Sequence, residues 1–178
     1  MLWNTIILAV FLIIVAFYDV RKHKIPNWLN VTGMLTGIFY HLLVNKLDGF
    51  LFSIFGLLVG LGIMLVLYVF KAIGAGDVKL FAAIGAISGT LFTLYSIMYS
   101  IIFAGIIAII ILIFTKTLLV NLTLAGLHIL ESIKKKSLTP LDEFKNNISN
   151  RFPFIYAVVP GVIVTYYYMF IEVVQKVQ

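Results

Sequence analysis

The 178-residue chain has no cysteine, four prolines and only seven acidic residues. Without cysteine there can be no disulfide, no thiolate metal site and no thiol nucleophile. Charge of either sign is scarce at 11% of residues, against 62% hydrophobic and a mean hydropathy of +1.12. No water-facing surface could enclose so apolar a chain, which excludes the soluble globular class. The three histidines, His23, His41 and His128, never share metal-ligand spacing. They are expected at surface or interface positions, and neither a metal nor a cofactor is expected. What the chain does have is length for about six membrane helices of roughly 20 residues each and little else. The expected fold is therefore all-α, a single polytopic membrane domain over residues 1–178.

Apolar runs occupy 2–18, 28–44, 50–70, 78–114 and 154–173. The first lacks a basic segment before it and a small-residue cleavage site after it, so it is expected as a retained span. The run 78–114 is too long for one span of about 20 residues and long enough for two short ones. A turn is expected near Ser88–Gly89–Thr90 or near Tyr95–Tyr99. Charge favours two. With six spans, Arg21, Lys22, Lys24, Lys71, Lys79, Lys116, Lys134, Lys135, Lys136, Lys145 and Arg151 share one side, 11 of the 13 basic residues, leaving Lys46 and Lys176 opposite. Cytoplasmic loops carry the excess of Lys and Arg, so both termini are expected outside. The net charge of +6 then reflects topology, and no nucleic-acid partner is expected. The sizeable polar region, about 116–152, reads as a helical extension or interfacial helix followed by the basic turn "KKKSLTP". It is expected as a solvated cytoplasmic loop, with contact to anionic lipid through Lys134–Lys136 as the lesser reading.

Two acids stand hard against expected membrane helices, Asp19 in "AFYDVRKHKIPNWLN" and Asp77 in "KAIGAGDVKL". On this topology Asp19 closes the first span, Asp77 opens the fourth, and both lie on the cytoplasmic side. Two carboxylates at one depth can share a proton, because like charges held close cannot both ionise. One then acts as an acid and the other polarises a water, with no metal or thiol. Gly74 and Gly76 give the backbone before Asp77 freedom for unusual torsions and close approach. A helix beginning there draws the carboxyl toward its ionised form. Lys79 either supports that form or snorkels to the interface. Pro26 and Asn27 suit the first turn and cap of the second span.

These stretches resemble the type IV prepilin peptidases, polytopic aspartyl proteases of pilus and secretion systems. "YDVRKHKIPN" at 18–27 is similar to that family's Asp followed by Ile-Pro-Asn. "GAGDVKLFAAIG" at 74–85 is similar to its Gly-x-Gly-Asp-x-Lys-Leu element, and "PFIYAVVPG" at 153–161 looks like the start of its last span. The resemblance implies that Asp19 and Asp77 are the catalytic pair and that Gly74 and Gly76 shape the site, with Pro26, Asn27 and Lys79 beside it. It implies release of a short basic leader from prepilin or pseudopilin precursors at the cytoplasmic membrane face. The absence of paired Cys-x-x-Cys motifs resembles the short, peptidase-only form. Asp142 and Glu143 are candidates for receiving the basic leader.

The alternative function is a small ion-coupled carrier that uses the same two aspartates to bind a cation or relay protons. Tyr18–Asp19 and Gly74–Asp77 also echo presenilin-like proteases, although their Pro-Ala-Leu element is missing. Gly56, Gly60 and Gly62 in "FGLLVGLG" are expected to pack helices within the chain. Trp3, Trp28 and the tyrosines at 166–168 suit interfacial belts. Oligomeric state is not legible.

Overall fold

The computed structural model describes residues 2–22, 25–114 and 154–177. His23, His128, Lys134–Lys136, Asp142, Glu143 and the expected loop at 116–152 lie outside them. The described residues form helices and short turns: α1 (Leu2–Lys22), α2 (Asn27–Val69), α3 (Ala75–Ser88), α4 (Thr90–Phe114) and α5 (Ile155–Val177). The chain divides into two compact units, Met1–Ala104 with Pro153–Gln178, and Gly105–Phe152. The first holds the candidate site described below. The described part of the second is the final portion of α4.

Among the described residues, three helices are long and apolar enough to cross a membrane, with spans at Trp3–Lys22, Asn27–Val69 and Thr90–Ile111. This is fewer than the six spans that the five apolar runs suggest, for two physical reasons. Helix α2 absorbs the expected gap between its two runs. Helix α3 has 14 residues, about 21 Å at 1.5 Å per residue, short of a hydrocarbon core of about 30 Å.

Helix α2 would be about 65 Å long if straight, but Asn45 and Lys46 leave helical torsions, Lys46 with φ 51°. A side chain on Gly49 would collide with the His41 carbonyl, so the chain doubles back there. Its contacts with α3 give the directions of the two arms. Along the first arm, Asn30 reaches Gly76, a methyl on Gly37 would stand 2.6 Å from the Ala86 carbonyl carbon, and His41 meets Ile87. That arm runs parallel to α3. Along the second arm, Ser53 donates to the Ala86 carbonyl at 2.7 Å, Gly56 abuts Gly85, and Gly60 abuts Phe81. That arm runs antiparallel, so α2 is a hairpin with α3 against both arms.

The glycines are what let this happen. Without water to drive helices together, membrane packing relies on close backbone approach at small residues. Gly56 and Gly60 do pack within the chain, as expected, whereas Gly62 faces open space. At the end of α3, Gly89 adopts φ 81°, ψ 178°, a conformation open essentially to glycine alone. It separates α3 from α4 at the first of the two expected turns. The alternative, Tyr95–Tyr99, lies inside α4.

Helix α3 is the core. Val78, Leu80, Phe81, Ala82, Ala83, Ile84, Ala86 and Ile87 are all buried, which accounts for its lack of a polar face. Helix α1 offers Leu8, Phe11, Leu12 and Val15 inward, an i, i+3, i+4, i+7 stripe. Four residues further along that stripe comes Asp19. Helix α1 continues past it to Lys22, so Asp19 sits within the last turns rather than closing the helix. His41 is not at the surface as expected but 7% exposed, its Nε2 2.7 Å from the Ile87 carbonyl and its ring 4.9 Å from that of Phe52. A polar ring inside an apolar bundle is stabilised by pairing with a carbonyl. The large residues left outside, among them Trp3, Phe39, Phe55, Ile109 and Phe114, form apolar faces suited to lipid.

Candidate active site

The C-terminal end of α1 and the N-terminal ends of α2, α3 and α5 converge. Each carries polar residues into the convergence. Asp19, 6% exposed, accepts the Ile155 N–H at 3.4 Å. Phe154 precedes α5, its carbonyl receiving the Ala157 and Val158 amides, so the Ile155 amide is among those that no turn of α5 can satisfy. Asp19 thus caps α5 from another helix, where the positive end of the helix dipole favours an anion. The ring of Phe154 lies 6.5 Å from Phe81 of α3, tying α5 to the core beside the site.

Asp77 lies one residue ahead of the apolar run, in the first turn of α3, and is half-buried. Its Oδ2 accepts the Gly74 N–H at 3.1 Å, while the Asp77 N–H donates to the Gly74 carbonyl at 3.1 Å. This is half of a capping box, since Gly74 has no side chain to complete it. Asp19 lies near enough to act on Asp77 electrostatically.

The conformational role expected of the glycines is corrected. Gly74 has φ −84°, ψ 154°, ordinary extended backbone, and among the described glycines only Gly89 has positive φ. A methyl on Gly74 would stand 3.2 Å from Asp77 Oδ2; on Gly76 it would stand 3.7 Å from Ile25, ordinary contact. Because alanine is about 1 kcal/mol better than glycine inside a helix, Gly76→Ala should keep or raise the thermal midpoint in detergent. A fall of more than about 5 °C would show that the helix needs glycine there.

Pro26, with φ −62° and ψ 138°, is the N-cap of α2, and no side chain caps that helix. Asn27, expected as a cap, is its first helical residue and serves a different partner: Lys79 Nζ donates to Asn27 Oδ1 at 2.6 Å. The "IPN" and "GDVK" stretches are thereby joined directly. Beside this bridge, Tyr18 packs edge-on against Trp28 at 6.0 Å, and Arg21 lies 4.3 Å above the Phe17 ring. Two members of the site were missed in the sequence. Asn30 is fully buried and donates through Nδ2 to the Gly76 carbonyl at 3.2 Å. The only sequence signal was a second asparagine three residues after Asn27, inside an apolar run. The Ile155 amide, a backbone group 136 residues from Asp19, had no signal at all.

Among the described residues no three His, Asp or Glu side chains are grouped as a metal site requires. The chemistry on offer is a pair of carboxyls differing in exposure. Neither the curated proteins nor the solved structures yield a match. A family model does: the type IV leader peptidase family matches residues 6–113, most of the chain and both aspartates, and this membrane protein belongs to that peptidase family.

Proposed function

We propose that the chain is an aspartic endopeptidase, a single six-span domain with both termini outside, that removes the basic leader of prepilin or pseudopilin precursors at the cytoplasmic face. The observation that carries the reading is that Asp19 and Asp77 stand on different helices at converging helix ends, each carboxyl held by a backbone amide.

In the proposed mechanism the pair holds one proton and titrates as a unit. The ionised carboxylate takes a proton from water as the water oxygen attacks the scissile carbonyl. The protonated carboxyl hydrogen-bonds the developing oxyanion, and the tetrahedral intermediate collapses as a proton passes to the departing amine. The Gly74 and Ile155 amides hold the two carboxyls in place. Lys79 and Asn27 fix the first turn of α3 to α2.

The test is leader release from a prepilin-type peptide comprising a basic leader and a hydrophobic helix, in membranes or detergent, across pH. Cleavage at the leader boundary is expected. Because the pair needs one proton and one negative charge, kcat/KM should fall on both the acid and the alkaline side of its optimum. No cleavage across several such substrates would overturn the reading and favour the ion-coupled carrier.

A further inference from the structure

We propose that Asn30 is a positioning residue of this site, gripping the peptide that carries Asp77 and so setting where that carboxyl points. The inference rests on the peptidase reading above. The Gly76–Asp77 peptide is held at both of its polar ends. Its carbonyl receives Asn30 Nδ2 at 3.2 Å, and its N–H donates to the Gly74 carbonyl at 3.1 Å. A peptide plane pinned at both ends cannot rotate, and the direction of the following side chain is fixed with it.

Asn30 is placed for this by its own helix. It lies three residues after Asn27, on the same face of α2, so the first turn of α2 holds the first turn of α3 twice: through Asn27 to Lys79 and through Asn30 to Gly76. The two ties differ in kind. The Lys79 tie is exposed, whereas Asn30 is fully buried, where a hydrogen bond is electrostatically stronger. Asn30 Oδ1 is buried with no hydrogen-bond partner among the described residues. A buried amide with half its hydrogen-bonding capacity unused is a poor choice for packing alone. Its retained function is the donor on Gly76.

Asn30→Ala removes the donor without overfilling the site, and Asn30→Asp keeps the shape while offering a donor only when protonated. Positioning errors of about 1 Å cost on the order of 100-fold in rate. In leader cleavage, Asn30→Ala should lose about 10- to 100-fold in kcat with KM within about twofold. Asn30→Asp should regain activity relative to wild type as pH is lowered from about 8.5 to about 5.5, as its carboxyl gains the proton it would donate to Gly76. Asn30→Ala should show no such recovery. A second readout does not depend on catalysis. Dicyclohexylcarbodiimide reacts with protonated buried carboxyls, and the pH midpoint of Asp77 labelling, followed by mass spectrometry, should move upward by about 0.5 or more in Asn30→Ala as the Gly74 amide loosens from the carboxylate. An unmoved midpoint, or kcat in Asn30→Ala within about threefold of wild type, would overturn the positioning role. A moved midpoint in a protein that cleaves no prepilin-type peptide would instead retain the grip on Asp77 and sink the peptidase reading.

Discussion

Asp19→Asn and Asp77→Asn should each reduce leader release by at least about 1,000-fold while leaving the folded protein intact, since in the proposed mechanism each removes one of two proton-transfer groups that act together. The choice of asparagine matters. Asp19 accepts the Ile155 amide and Asp77 accepts the Gly74 amide; an asparagine oxygen can accept both bonds. What it cannot do is take a proton from water or share one with its neighbour. Alanine at position 19 would remove the acceptor as well and leave a helix-end amide without it, confounding chemistry with stability. The measurement is single-turnover cleavage alongside thermal unfolding. Loss of cleavage in both variants at unchanged midpoints is the expected pattern. More than about 10% of wild-type activity in either would rule out a two-carboxylate mechanism.

The second large effect concerns packing. Gly85→Val should lower the thermal midpoint in detergent by about 10 °C or prevent accumulation of folded protein, whereas Gly62→Val should leave it nearly unchanged. The difference lies in what each added side chain meets. At Gly85 it collides with the Gly56 backbone carbonyl, and at Gly56 the collision is with Gly85 in turn. Backbone cannot rotate aside as a side chain can, so overpacking here falls at or beyond the upper end of its usual range of about 1–3 kcal/mol. Nothing lies within 4 Å of a methyl on Gly62. Equal behaviour of the two variants would mean that the crossing of α2 and α3 does not set stability. Since α3 carries Asp77, the same crossing sets the height of one carboxyl.

The sequence made the candidate residues more legible than the architecture. Asp19 and Asp77 could be singled out because acids are rare in so apolar a chain and each stood at the edge of a run. Their partners could not, since Gly74 and Ile155 contribute backbone amides, which every residue but proline possesses. Hydropathy saw a gap between 44 and 50 but not that two residues, Asn45 and Lys46, suffice to turn α2 back on itself. Gly89 was readable as a breaker in an overlong run, and its torsions supply the reason. The glycines before Asp77 invited a torsional explanation that their ordinary dihedral angles do not support. His41 misled for a related reason: its partner is the carbonyl of Ile87, and no pattern of side chains announces a carbonyl.

Asp77 belongs to a block in which α2 and α3 lock together through glycine-to-backbone contacts, but Asp19 rides on α1, which meets α3 through larger side chains and far more sparsely. Sliding α1 along α3 would therefore alter the separation of the carboxyls without disturbing the tighter block. The ends of α1, with Trp3 exposed at one and Arg21 and Lys22 exposed at the other, are its handles on the lipid interfaces, where such residues anchor. A bilayer that thickens or thins pulls on those anchors and tilts the helix between them. Of the two carboxyls, the one on α1 is therefore carried by a helix with anchors at both lipid interfaces, and the one on α3 by a helix seated in protein.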